Sequence, residues 1–131
     1  MTTIRGTKTR ALVVEDTPEI AYLLRFILER QGFDVDVRAD GRTALQALDE
    51  APADLVLSDV MLPYIDGVEF VQRLRARDEW ATVPVVMLTA RSSENDIVRA
   101  FDAGADVYVV KPFQPDELVA RLKRLLRRVT A

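Results

Sequence analysis

Short apolar runs alternate along the chain with segments whose apolar residues recur every three or four positions. Ala11-Leu12-Val13-Val14 is a continuous apolar run and predicts a buried strand. From Pro18 to Gln31, residues Ile20, Leu23, Leu24, Ile27 and Leu28 fall at helical spacing, and Gly32 stands where a glycine ends a helix. Val35 and Val37 alternate with acids and predict a second strand. Asp40 can cap a helix carrying Ala44, Leu45 and Leu48. Leu55-Val56-Leu57 is a third apolar run, followed by a helix with Val68, Phe70, Val71 and Leu74. Val83 to Leu88 predicts the fourth strand. Ser93 can cap a helix through Val98 and Phe101 that ends at Gly104. Val107-Tyr108-Val109-Val110 is the fifth strand. After Pro112 and Pro115 a last helix carries Leu118, Val119, Leu122, Leu125, Leu126 and Val129.

The pattern amounts to five βα units. Strands that read as unbroken apolar runs fit a parallel sheet covered on both faces. Right-handed crossovers then give a doubly wound α/β sandwich. No Ser/Gly linker, low-complexity tract or longer repeat interrupts the rhythm. One domain over 11–131 is expected, preceded by a short basic extension, 1–10. Five such units use nearly all 131 residues, so the sequence reading leaves no room for an attached effector.

Composition narrows the chemistry. The chain contains no cysteine and no histidine. That excludes disulfides, thiolate zinc sites, imidazole metal ligands, cysteine or Ser-His-Asp nucleophiles, and phosphohistidine on this chain. Carboxylates, hydroxyls, lysine and arginine remain, and these suit hard cations and phosphoryl groups. Net charge is −3, unevenly placed. Residues 1–10 hold three basic groups and 121–131 hold five, with no acid in either stretch. The basic tail reads as a solvated helix face whose cations suit the helix dipole, rather than as a nucleic-acid site. No apolar run nears the roughly 18 residues of a membrane span, and the run after the basic start is too short for a secretory signal. The expectation is a cytoplasmic protein.

Ligands in such sheets bind outside the carboxyl ends of the strands. Glu15 and Asp16 follow the first strand, Asp59 the third, Thr89 ends the fourth and Lys111 follows the fifth. Singly, each is an ordinary loop or surface residue. Together they put three carboxylates on one rim, where they repel one another unless a cation neutralises them. A hard divalent ion with oxygen ligands does so, and Mg²⁺ leaves room for water and phosphate oxygens. A lysine and a hydroxyl beside it complete a site for phosphoryl oxygens.

The segments LVVED (12–16), LVLSDVMLPYIDG (55–67), VPVVMLTA (83–90) and GADVYVVKPF (104–113) closely resemble the receiver domain of two-component response regulators. The resemblance runs from Ala11 to about Arg128. It implies a flavodoxin-like (βα)5 fold with strand order 2-1-3-4-5. It also implies that Asp59 is the phosphoacceptor, attacking a phosphoryl group carried by a histidine kinase, a phosphotransfer protein or a small phosphodonor. Glu15, Asp16 and Asp59 would hold Mg²⁺, with the backbone carbonyl of Met61. Thr89 would contact the phosphoryl group, Lys111 would pair with its oxygens, and Tyr108 would switch rotamer with Thr89. The bond before Pro112 would be cis. Met61 and Arg91 match positions that tune dephosphorylation in this family.

Two positions depart from the commonest family pattern. Glu15 stands where aspartate is frequent. Ile97 and Val107 stand where charged partners of a family dimer interface would be, although Glu117 and Arg121 match its helix-five side. The resemblance therefore implies a partner face of Ile97, Val107, Tyr108, Glu117 and Arg121, with a monomer or weak dimer; the alternative for Ile97 and Val107 is partial burial or scattered surface apolars. It implies a downstream protein partner and no direct contact with nucleic acid or membrane. It implies no turnover of an external substrate, only the chain's own phosphorylation and dephosphorylation. The rivals are a receiver belonging to a longer regulator or hybrid kinase, an aspartate-nucleophile phosphatase, a flavin module, and a degenerate receiver. Met61 occupies the position where the phosphatases carry a second acid. Glu15 and Asp16 would repel a flavin phosphate. The degenerate case is weakened by the complete set of chemical residues. Trp80 is expected to pack against a helix, Gly67 to serve a turn or helix start, and Pro63 to stiffen a loop.

Overall fold

The computed structural model describes residues 9–130, with side chains through Arg127. Most of the basic extension and the side chains of Arg128 and Val129 lie outside the described residues. Five strands, β1 (Thr9–Val14), β2 (Phe33–Arg38), β3 (Leu55–Ser58), β4 (Val85–Thr89) and β5 (Val107–Val110), alternate with five helices. The helices are α1 (Pro18–Arg30), α2 (Gly41–Ala47), α3 (Gly67–Arg75), α4 (Glu94–Ala103) and α5 (Pro115–Thr130). All strand pairs are parallel, in the order β2-β1-β3-β4-β5. This is the doubly wound, flavodoxin-like order expected from the sequence. β1 starts at Thr9, two residues before its apolar run, because Thr9 and Arg10 pair with Phe33 and Asp34.

Side chains alternate across the sheet, so each strand feeds two cores. Leu12, Val14, Val56, Val85 and Met87 pack with α2, α3 and α4. Ala11, Val13, Leu55, Leu57, Val86 and Leu88 pack with α1 and α5. Asp40, Asp66 and Ser93 cap α2, α3 and α4, each accepting a backbone N–H three residues on. Trp80 is buried in the first core and donates its indole N–H to the Leu48 carbonyl at 3.1 Å, as its expected packing role requires.

Three apolar residues expected on helix core faces point elsewhere. Leu23 is exposed beside the buried Leu24, and Val98 and Phe101 are 48% and 46% exposed. In α4 the small residues Ala100 and Ala103 face the core instead, in the cluster that α3 also lines. The Lys111–Pro112 bond is cis, as the resemblance implied.

Candidate functional site

Backbone pairing carries the rim residues past the ends of their strands. Glu15 N–H donates to the Arg38 carbonyl at 3.0 Å, Asp59 N–H to Val14 at 3.0 Å, and Lys111 N–H to Thr89 at 2.8 Å. Glu15, Asp59 and Lys111 are therefore fixed by the sheet itself, although each follows its strand. Their side chains meet at the carboxyl edge. Lys111 Nζ donates to Glu15 Oε1 at 2.7 Å and to Asp59 Oδ2 at 2.8 Å. The second Asp59 oxygen accepts the Met61 N–H at 3.0 Å, and Glu15 Oε2 accepts the Thr17 N–H at 3.2 Å.

Glu15 and Asp59 are buried and Asp16 is exposed at the mouth. One carboxylate oxygen from each of the three lies within 4.8 Å of the others. Burial pushes the Glu15 carboxyl above its ordinary value, and the Lys111 ammonium only partly offsets this. Burial pulls on Lys111 in the opposite sense, but hydrogen bonds to Asp59 and Glu15 outweigh it and hold the ammonium above its usual range. Lys111 is thus the counter-ion of the cluster. An all-oxygen donor set of one exposed and two buried carboxylates fits a hard divalent cation of the Mg²⁺ type.

Thr89 is fully buried at the end of β4, and its hydroxyl oxygen accepts the Arg91 N–H at 3.3 Å. Tyr108 Oη donates to the Arg91 carbonyl at 2.8 Å, so β5 latches the loop that Thr89 begins. Burial, then the charges of Asp96 and Asp59, raise the Tyr108 phenol above its ordinary value. Thr89 and Tyr108 are therefore both bonded to the backbone of Arg91.

On the expected partner face, Ile97 and Val107 are partly buried, and Val107 packs against the α1/α5 core. The exposed apolar groups there are Val98, Phe101 and Val110, with the Phe101 and Tyr108 rings tilted at 6.4 Å between centroids. Glu117 and Arg121 pair with each other at 2.9 Å along α5, and Arg121 also reaches the Tyr108 carbonyl at 3.4 Å.

The sequence reading missed part of the surroundings. A cleft of about 380 Å³ opens beside the cluster, lined by Asp16, Met61, Leu62, Asp66, Arg91 and Arg99 among others. Arg99 comes from α4, and no local motif marks it; Asp66 is the cap of α3. Asp66-Gly67 does carry a legible signal, a capping acid before a glycine. A Cβ at Gly67 would sit 1.9 Å from the Asp59 carbonyl oxygen, so the glycine permits α3 to begin against the backbone of Asp59.

The family model for the response regulator receiver domain matches residues 11–123. The chain is 47% identical over 121 residues to the DNA-binding response regulator MtrA of Mycolicibacterium smegmatis, covering 92% of this chain and 52% of that protein. Among solved structures, the chemotaxis response regulator CheY4 of Vibrio cholerae aligns with a TM-score of 0.85 at 34% identity, over 91% of this chain and 99% of that one. The receiver domain of sensor histidine kinase PA1611 from Pseudomonas aeruginosa PAO1, solved with a magnesium ion coordinated in its active site cleft, aligns at 0.84 and 31% identity, covering 92% and 98%. The chain spans about half the length of the curated relatives it matches. With a match that runs across both cores and the whole carboxyl edge, the chain belongs to the receiver domain family of two-component response regulators.

Proposed function

We propose that Asp59 accepts a phosphoryl group from the phosphohistidine of a kinase or phosphotransfer protein. An Asp59 carboxylate oxygen forms the new bond to phosphorus as the donor's P–N bond breaks, and the imidazole leaves with the electron pair. The product is an acyl phosphate. Such transfer needs positioning and charge neutralisation more than a strong base. The observation that carries this reading is Lys111 Nζ, held 2.8 Å from Asp59 Oδ2 and 2.7 Å from Glu15 Oε1. A fixed cation already stands where phosphoryl oxygens would arrive.

Glu15, Asp16 and Asp59, with the Met61 carbonyl, are the residues that would hold Mg²⁺. The ion, when bound, supplies charge neutralisation at the phosphoryl oxygens. Thr89 contacts the new anion through its hydroxyl and Lys111 pairs with its oxygens. The Arg91 segment then relays the change to Tyr108 and the α4-β5-α5 face, where a downstream protein binds. The chain turns over no external substrate and acts in the cytoplasm as a monomer or weak dimer, without touching nucleic acid itself.

Mg²⁺-dependent labelling by a small phosphodonor, read by intact-protein mass, tests the assignment. Asp59→Asn is expected to abolish it, and persistent Mg²⁺-dependent labelling of that variant would overturn it. A second reading is favoured by the length of the relatives. MtrA is a DNA-binding regulator of which this chain matches about half, so the chain also fits the input part of a longer transcription regulator. The native reading frame beyond Ala131 decides between them.

A further inference from the structure

The loop between β3 and α3 carries Met61 and a single strained residue. Among the described residues Tyr64 is the one non-glycine with a left-handed backbone, at φ +74°. Ile65 N–H donates back to the Pro63 carbonyl at 2.9 Å, closing a three-residue turn around Tyr64. The γ-turn with positive φ at its centre is the rare, strained form. A bulky residue stays there only where its surroundings hold it. Core packing does not, because Tyr64 is 70% exposed.

What holds the turn comes from the start of α2. Gly41 N–H donates to the same Pro63 carbonyl at 3.1 Å. A Cβ at Gly41 would lie 2.3 Å from the Ile65 carbonyl oxygen, so helix and loop backbones touch. The Arg42 guanidinium lies 4.0 Å from the centroid of the Tyr64 ring, well inside cation–π range. The far end of the loop is tied separately, by Gly67 N–H to the Val60 carbonyl at 2.7 Å. The span from Met61 to Tyr64 is therefore tied at its start to Asp59, through the Met61 N–H at 3.0 Å, and braced at Pro63 and Tyr64 by an element that contributes nothing to the acidic cluster.

We propose that Arg42 is a positioning residue: stacked on Tyr64, it holds the β3–α3 loop in the strained turn that presents Met61 to the metal, so that α2 sets part of the site's cation affinity. The proposal rests on the metal reading given above. A loop ordered in advance need not be ordered at the expense of binding. When the brace is loosened, the competent fraction falls and the apparent Kd rises by the inverse of that fraction. An exposed cation–π contact corresponds to roughly a two- to fivefold change.

The sign separates this from plain electrostatics. Deleting a positive charge near a cation site strengthens binding, whereas loosening the brace weakens it. Titration calorimetry with Mg²⁺ alone on the full chain reads the difference. Arg42→Ala is expected to weaken Mg²⁺ roughly two- to fivefold, while Arg42→Lys, which keeps a cation over the ring, stays near wild type. Tyr64→Gly removes both the ring and the strain, since glycine accepts positive φ freely. In that background Arg42→Ala is expected to have no effect. The metal-free unfolding midpoint should move little, because Arg42 is exposed and fills no core. Arg42→Gln serves as a second neutral variant. Unchanged or tighter Mg²⁺ binding in Arg42→Ala and Arg42→Gln overturns the brace alone. So does an equal loss in both Tyr64 backgrounds. Absence of Mg²⁺ binding in the wild type overturns the metal reading and the brace together.

Discussion

Replacing Lys111 by methionine isolates the electrostatics of the rim, because the shape is nearly kept and the charge is lost. At an effective dielectric of about 20, each contact at 2.7 and 2.8 Å is worth roughly 6 kcal/mol of gross attraction. Most of that offsets the cost of drawing three charges out of water. The variant reports something else, the penalty of two buried carboxylates left without their cation. Removing one member of a buried pair costs about 3–5 kcal/mol. The Lys111 side chain is 13% exposed and lies at a solvent-facing edge, so the low end, about 3 kcal/mol, is the expectation at neutral pH without metal.

The penalty carries a pH signature. Burial already holds Glu15 above its ordinary value of 4.5, and Lys111 is what opposes it. Without the ammonium the folded-state value rises further while the unfolded value stays put. The folded variant then binds the Glu15 proton more tightly than the unfolded chain does. Its deficit against the wild type is smallest at low pH, where both proteins hold the Glu15 proton, grows as pH rises from the wild type's own raised folded value to the variant's higher one, and levels off above it. Added Mg²⁺ should stabilise the variant more than the wild type, because the cation replaces the missing charge without competing with Lys111. Urea unfolding followed by the fluorescence of Trp80 gives the measurement, since this single tryptophan is buried. A deficit under about 1 kcal/mol that does not change with pH would refute the reasoning, since it falls well short of a broken buried pair.

Two further substitutions test how the site is held. Gly67→Ala places a Cβ 1.9 Å from the Asp59 carbonyl oxygen; a loss of about 2–3 kcal/mol is expected in urea unfolding, and wild-type stability would contradict the close approach. Arg75 donates to the carbonyls of Gly104 at 2.8 Å and Val83 at 2.6 Å and to Asp106 at 3.1 Å. Arg75→Ala is expected to cost about 2–4 kcal/mol by orphaning these acceptors, while the folded protein keeps its phosphodonor labelling; loss of labelling in folded protein would show that Arg75 reaches the site.

Local pattern carried much of the architecture. The four apolar runs and the alternating segment at Val35 and Val37 are the five strands, and the capping positions of Asp40 and Ser93 are those the sequence marks. These features follow from steric periodicity and short-range hydrogen bonding, which a few neighbouring residues decide. The orientation of Leu23, Val98 and Phe101 was not legible, because helical spacing names an apolar stripe but not how closely a neighbour approaches it. It is Ala100 and Ala103 that α4 turns to the core it shares with α3.

By itself the sequence determined the fold class, the two-sided core and the roster of rim residues. A parallel sheet places every strand end on one edge, so Glu15, Asp59, Thr89 and Lys111 converge without further information. Tertiary structure decided which atoms touch. Lys111 meets Glu15 across 96 positions of chain, and Arg42 of α2 covers Tyr64 of the β3–α3 loop. Such pairings have no local signature. They arise only when packing fixes the distance between elements, and at a buried or strained site that distance sets both charge balance and loop geometry.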